Sequence, residues 1–126
     1  MLAAQGAHAA VVDIDEAAAQ AVVAEIEAAG GQALAVGVDL TSELAIRAMV
    51  AKVVARFGRI DVLHNNAAAL DTAQRQNDRD VINVAIEAWD RALDVNTRGA
   101  MLCCKHVVPA MVALREYFER QGSNKI

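Results

Sequence analysis

The sequence predicts an α/β domain built around a parallel sheet. Strand-like apolar runs alternate along the chain with stretches that have the hydrophobic period of helices. The composition agrees, because 28 alanines and 16 valines stand against one Trp, one Tyr and two Phe. Small side chains allow helices to lie close to a sheet, and alternating strands and helices are typical of parallel strands joined by right-handed crossovers.

Three short apolar runs predict the strands. They are residues 8–13 (HAAVVD), 33–38 (ALAVGV) and 60–64 (IDVLH), and the first two lead to the carboxylates Asp13 and Asp39. Continuous apolar runs of this kind are typical of strands that are buried on both faces of a parallel sheet. We therefore expect three parallel strands.

The first predicted helix spans about 16–29. Asp15 is its expected N-cap, and Gly30–Gly31 stops it. Its predicted buried face consists of four apolar residues, which are Ala18, Val22, Ile26 and Ala29.

The second predicted helix spans about 42–57. Thr41–Ser42 caps its start, and Gly58 ends it. Its apolar stripe is expected to consist of Ile46, Val50, Val53 and Phe57.

The second half of the chain is expected to be mostly helical. The polar residues 71–80 predict a loop, which is followed by helices near 86–95 and 97–120. Pro109 is expected to kink or break the longer helix, because proline removes a backbone donor. Trp89 is expected in the core.

Composition and motif spacing exclude several classes of function. With 12 Lys and Arg against 16 Asp and Glu and no basic stripe, nucleic acid is not an expected partner. No apolar run reaches the length of a membrane span, and the start of the chain lacks the features of a signal peptide. The three histidines have no ligand-like spacing, so no metal site is predicted. The adjacent Cys103 and Cys104 are expected to be small buried residues, and a cytoplasmic location fits reduced cysteines.

Four blocks of sequence carry a resemblance to a known family. They are LAAQGAHAAVVDID, VDLTS, GRIDVLHNNAA and WDRALDVNTRGAMLCCKHVVPAM, in that order. Over about residues 1–112 the chain resembles the short-chain dehydrogenase/reductase family, and residues 113–126 are interpreted as a divergent helical tail. The resemblance implies a Rossmann-like, doubly wound parallel sheet that binds a nicotinamide dinucleotide. It also implies hydride transfer between that cofactor and a small alcohol or carbonyl substrate.

The resemblance implies a cofactor site at the carboxyl edge of the sheet. Asp13 would accept hydrogen bonds from both hydroxyls of the adenosine ribose and repel the 2′-phosphate of NADP, which implies NAD. The alternative is that Asp13 caps the approach to a helix jointly with Asp15. Asp39 and Leu40 match the family's adenine contact, whereas the alternative for Asp39 is helix N-terminal chemistry beside Thr41. The implied cofactor-binding residues are Asp13, Ile14, Asp39, Leu40, Asn66, Ala67 and Ala68.

Asn96 is the implied catalytic residue. It matches the family's active-site asparagine, which interrupts a helix and holds a water that relays protons from the catalytic lysine. The stretch Asn65-Asn66-Ala67-Ala68 departs from the family's usual Asn-Asn-Ala-Gly, and the added methyl group of Ala68 is expected to narrow the approach to the cofactor. This stretch either borders the ribose or braces the sheet. His64 is expected to be a strand-end side chain.

Parts of the family pattern do not occur in this sequence. In the family, the glycine-rich phosphate loop and the first strand would precede residue 1. The family's catalytic Ser and Tyr-x-x-x-Lys pair are also missing, since the residue four positions after Tyr117 is Gln121 rather than lysine. We therefore expect an incomplete family domain, truncated at both ends, that binds NAD weakly and is inactive alone. The alternative is a non-catalytic module that forms homo-oligomers through the long helix after Asn96. Because the family's first strand lies between 8–13 and 60–64, we expect these two segments either to pair directly or to promote association.

Overall fold

A computed structural model describes residues 2–70, 76–77 and 79–120. In chain order, the elements are a 3-10 helix (Leu2–Gln5), β1 (Ala9–Asp13), α1 (Glu16–Ala28), β2 (Ala33–Gly37), α2 (Glu43–Phe57), α3 (Ile86–Ala92), a π-helical turn (Leu93–Gly99) and α4 (Ala100–Arg120). Most of the predicted loop 71–80, and the end of the predicted tail after Arg120, lie outside the described residues. None of the described helices is long and apolar enough to cross a membrane.

β1 and β2 form a two-stranded parallel sheet, which confirms the first two predicted strands. The register runs from Ala9 opposite Ala33 to Asp13 opposite Gly37. The Val38 N–H donates to the Asp13 carbonyl at 2.9 Å, so the contact continues past the end of β2. Since α1 forms the crossover, the ends of both strands open at the same edge of the sheet.

The prediction of a third strand at 60–64 is wrong for this structure. Within the described residues this segment has no strand partner, and the expected direct pairing with β1 is not formed. Ile60 and Leu63 nevertheless pack against the core, whereas Val62 is 72% exposed. The apolar pattern thus identified which side chains enter the core, but a strand also needs a neighbouring backbone to pair with.

α1 begins as predicted but buries a neighbouring face. The Asp15 carboxylate accepts hydrogen bonds from the N–H groups of Ala17 and Ala18, which confirms the N-cap. The buried residues are Ala19 and Val23, whereas Val22 is 44% exposed. Alanine and valine occupy two overlapping stripes of this helix, so only its packing on the sheet determines which stripe is buried.

α2 matches its prediction closely. Ser42 accepts a hydrogen bond from the Ala45 N–H at 3.3 Å, and Gly58 ends the helix with φ 76°. The buried stripe and its half-buried end are Ile46, Met49, Val50, Val53 and Phe57. This stripe packs between β2 and α4, where it meets Val36, Val38, Leu102, Cys103 and Val107.

The C-terminal helical region corrects predictions about Pro109, Trp89 and the cysteine pair. α4 continues through Pro109, so the proline does not break the helix, whereas the kink stays a prediction. The proline is exposed, so water can satisfy the carbonyl that loses its donor. Trp89 is 53% exposed, because the buried position of α3 is the preceding residue, Ala88. Cys103 is buried but Cys104 is exposed, since adjacent residues on an α-helix point about 100° apart.

Among residues 2–70, 76–77 and 79–120, β1 pairs with another strand on one edge only, and this pairing predicts the protection of each backbone amide of β1. The Ala9 N–H and the Asp13 carbonyl point toward β2, so by alternation the N–H groups of Ala10 and Val12 point to the open edge. In dilute solution, amide hydrogen exchange should give Ala9 and Val11 higher protection factors than Ala10 and Val12. If the chain associates through this edge, protection of Ala10 and Val12 will rise with protein concentration. Equal protection of all four amides in a dilute monomer would contradict this description.

Candidate functional site

The π-helical turn between α3 and α4 is the centre of the candidate site. The Asn96 side-chain oxygen accepts a hydrogen bond from the Ala69 backbone N–H at 2.9 Å, and Ala69 is 8% exposed. A π-helical turn, Leu93–Gly99, contains Asn96, the position at which the family resemblance implies an interrupted helix. Such turns frequently occur at functional sites. The oxygen of Asn96 therefore fixes the backbone that follows the Asn65–Ala68 stretch.

Gly99 brings the same turn against the loop that follows β2. A Cβ atom built at Gly99 would lie 2.9 Å from the Leu40 Cβ and 3.2 Å from the Leu40 carbonyl oxygen. Any side chain at this position would push α4 away from Leu40, so glycine permits the close approach. The turn thus contacts both Leu40 and Ala69, two segments that are far apart in sequence.

Asp39 is held in a local turn directly before Leu40. Its Oδ1 accepts hydrogen bonds from the Thr41 N–H at 2.9 Å and from the Thr41 hydroxyl at 2.8 Å. These bonds, first the backbone one and then the hydroxyl, lower the pKa of Asp39, and the positive charge of Arg91 adds to the effect. The helix-start interpretation of Asp39 therefore has a geometric basis, and the carboxylate is ionised at neutral pH.

Asp13 lies at the carboxyl end of β1, beside the Asp39 loop. Its Oδ1 accepts a hydrogen bond from the Asp15 N–H at 2.9 Å, which is the joint capping arrangement that the sequence offered as an alternative. This bond engages one of the two carboxylate oxygens, and the side chain is exposed. The exposed carboxylate can therefore still accept a hydrogen bond from a hydroxyl. Ile14, which is 66% exposed, provides an apolar surface next to it.

The Asn65–Ala68 stretch lies on the surface and is attached to the helical half at two points. Asn66, Ala67 and Ala68 are exposed. The Asn65 side-chain amide contacts the Cys104 sulfur at 3.5 Å, and the buried Ala69 bonds to Asn96 as described above. The contacts agree with a bracing function for the stretch, whereas its contact with a cofactor stays a prediction.

Three of the predicted site residues, Asn96, Leu40 and Asp13, make contacts with residues that lie next to other parts of the predicted site. The π-helical turn joins Asn96 to Ala69 and Gly99 to Leu40, and the Val38 N–H joins the Asp39 loop to the Asp13 backbone. No described contact joins the Asp13 carboxylate to Asn66. Sequence reasoning missed Gly99, although a glycine inside a helical run was a usable signal of a close approach.

The arrangement offers carboxylates and apolar surface rather than metal ligands. Over residues 2–70, 76–77 and 79–120, no group of three or more His, Cys, Asp or Glu residues could hold a metal ion. The exposed side chain of Asp13 with its exposed apolar neighbour Ile14 suits a ligand that has both hydroxyl groups and a flat apolar ring.

Replacing Asn96 should weaken the attachment of Ala69 to the turn. In Asn96→Ala the buried N–H loses its acceptor, which should cost about 1 kcal/mol and speed exchange of the Ala69 amide by about fivefold. Asn96→Asp retains an oxygen acceptor and serves as the matched control, with near-parental exchange. Amide exchange followed by NMR checks both variants. Unchanged protection of Ala69 in Asn96→Ala would show that the bond does not hold this segment.

Comparisons with known proteins identify the family. The model of the short chain dehydrogenase family matches residues 1–123, so the resemblance extends beyond residue 112. The chain is 36% identical to a sorbitol dehydrogenase of Cereibacter sphaeroides, over 86% of this chain and 39% of that protein. It is 38% identical to a galactitol 2-dehydrogenase of Agrobacterium fabrum, over 88% of this chain and 40% of that protein.

A solved structure supports the same assignment. The crystal structure of a metagenomic short-chain oxidoreductase in complex with NADP superposes with a TM-score of 0.78 at 33% identity, covering 90% of this chain and 49% of that one. The fold is thus an incomplete Rossmann-like α/β fold. The chain spans about two fifths of the length of the curated relatives it matches, 39% for the sorbitol dehydrogenase. On this evidence the chain belongs to the short-chain dehydrogenase/reductase family.

Proposed function

We propose that these residues form the adenosine side of the cofactor site of an NAD-dependent oxidoreductase, which transfers a hydride between nicotinamide and a small alcohol or carbonyl substrate. The observation that carries this proposal is the exposed Asp13 carboxylate at the end of β1, beside the Asp39–Leu40 loop. Ligands of doubly wound sheets bind at the carboxyl ends of the strands. The dehydrogenase names of the relatives support the reaction class.

The preference for NAD over NADP depends on the charge of Asp13. A carboxylate can accept hydrogen bonds from ribose hydroxyls, but it repels a 2′-phosphate. Ile14 and Leu40 supply apolar surface for the adenine, and Asn66, Ala67 and Ala68 border the ribose in this proposal. The solved relative is in complex with NADP, so that relative does not support a preference for NAD. The proposed preference therefore rests on this chain's own residues.

Catalysis requires more than these residues supply. When bound, the nicotinamide gives or takes the hydride, and a proton must move at the substrate oxygen. Asn96 is proposed to hold the water of that proton relay, while its side-chain oxygen also positions Ala69. The residue four positions after Tyr117 is Gln121 rather than lysine, so the sequence around this tyrosine does not match the family's Tyr-x-x-x-Lys pair. We therefore propose that residues 1–126 by themselves bind NAD weakly and do not turn over substrate. The free cysteines fit a protein of the reducing cytoplasm.

A second candidate function is a non-catalytic interaction module. Met101, Val108 and Val112 on α4 are 52%, 49% and 47% exposed, and their spacing places them along one side of the helix. Such a surface is suited to homo-oligomerisation. Sedimentation velocity at micromolar concentration discriminates the two candidates, because an interaction module would form dimers without any cofactor.

Cofactor titration tests the leading proposal. The titration is followed by fluorescence, and NADH should bind residues 1–126 more tightly than NADPH does. Asp13→Asn removes the charge but keeps the side-chain shape, so the ratio of the NADPH to the NADH dissociation constant should fall about tenfold, or about 1.4 kcal/mol. Asp90→Asn removes an exposed carboxylate of α3 and is the matched control, with an unchanged ratio. Equal affinity of the parent chain for both dinucleotides would overturn the proposed role of Asp13.

A further inference from the structure

Glu43 connects two helices that are distant in sequence. It lies in the first turn of α2, and its Oε1 accepts hydrogen bonds from the Lys105 Nζ and the His106 Nε2 of α4, each at 2.8 Å. Two donors from consecutive residues thus converge on one carboxylate oxygen. We call these three side chains the Glu43 clamp.

The clamp is partly sheltered from water. The side chains of Glu43 and His106 are 40% and 19% exposed, whereas that of Lys105 is 57% exposed. A single exposed ion pair adds little to stability. Two donors on one acceptor restrict orientation more than one donor does, so the clamp is better suited to fixing the relative position of two helices than to stabilising the fold.

The elements that the clamp joins both carry the candidate site. Glu43 follows the Asp39–Ser42 loop, in which the Asp39 carbonyl accepts a hydrogen bond from the Ser42 N–H at 3.0 Å. α4 continues directly from the π-helical turn, whose Gly99 packs against Leu40. Movement of α2 relative to α4 would therefore shift Leu40 against the turn.

We propose that Glu43 is a positioning residue, which through Lys105 and His106 holds the Asp39–Leu40 loop in the orientation that receives the adenine ring. This role rests on the proposed function. It extends that function, because it assigns the geometry of the adenine contact to an ion pair outside the residues that touch the cofactor.

The charge state of the clamp yields a pH criterion. The hydrogen bonds from Lys105 and from His106 lower the pKa of Glu43 to about 2, from its ordinary value of 4.5. Because the pKa of the Glu43 carboxyl is lower in the folded chain than in the unfolded chain, the contribution of the clamp to folding stability is fully present above about pH 4.5. It is lost as the pH falls through about 2.

The experiment compares Glu43→Ala with Glu119→Ala. Glu119 forms an ion pair with Arg115 at 2.8 Å within α4, and among the described residues it joins no second element, so it is the matched control. In Glu43→Ala, amide exchange of Leu40 and Thr41 should become about threefold faster or more, and NADH should bind about threefold more weakly or worse. Glu119→Ala should change neither. Glu43→Gln, which keeps an oxygen acceptor without the charge, should fall between the parent and Glu43→Ala, and it serves as the test if Glu43→Ala does not fold.

The outcomes separate the inference from the function on which it rests. If the parent chain binds NADH and Glu43→Ala binds it equally well, the positioning role is overturned, whether or not the amides exchange faster. If the parent does not bind NADH, the proposed function fails, and the positioning role fails with it. The exchange difference between parent and Glu43→Ala should persist from pH 7 to pH 4.5. A difference that disappears within that range would contradict an ionised clamp.

Discussion

The rest of the structure depends on the burial of Ile46 between β2 and α4. Ile46 is 0% exposed, and Val107 of α4, in the same cluster, is 2% exposed. A two-stranded sheet is a poor support by itself, because it is marginally stable without packing on one face. The contact between α2 and α4 therefore determines where the π-helical turn meets Leu40 and Ala69.

The candidate site is assembled by contacts that a sheet would otherwise provide. Residues 60–64 lack a strand partner among the described residues, so the following Asn65–Ala68 stretch is located by side chains of the helical half. Two contacts locate the stretch: the hydrogen bond between Asn96 and Ala69, and the contact between Asn65 and Cys104. The Glu43 clamp has the same character, since it joins elements through side chains rather than backbone pairing.

Local signals in the sequence predicted most of the helices and strands, whereas contacts between these elements could not be predicted from it. Asp15 and Ser42 were identified as caps because their side chains bond to backbone only a few residues away. The stripe of α2 was predicted except for Met49, because its apolar residues recur at the helical period, whereas Leu44 lies exposed on another face. The buried face of α1 was missed, since small residues occupy two faces. Trp89 was misplaced because size alone does not show which side of a short helix meets the core.

Only the site residues that lie in a family motif or at the end of a strand could be predicted from the sequence. Asp13, Asp39 and Asn96 stand at positions that a motif or a strand end marks. Gly99 and Glu43 act across more than fifty residues of sequence. The glycine signals a close approach, but no local pattern identifies the partner of either residue.

The most direct test of the central claim is urea unfolding of Ile46→Ala beside Leu44→Ala. Both variants shorten an aliphatic side chain of α2, but Leu44 is 76% exposed and Ile46 is fully buried. Ile46→Ala should lower the free energy of unfolding by about 2–5 kcal/mol, whereas Leu44→Ala should change it by less than about 0.5 kcal/mol. Equal, small effects of the two substitutions would contradict the account, because the helices could then not be held by this core.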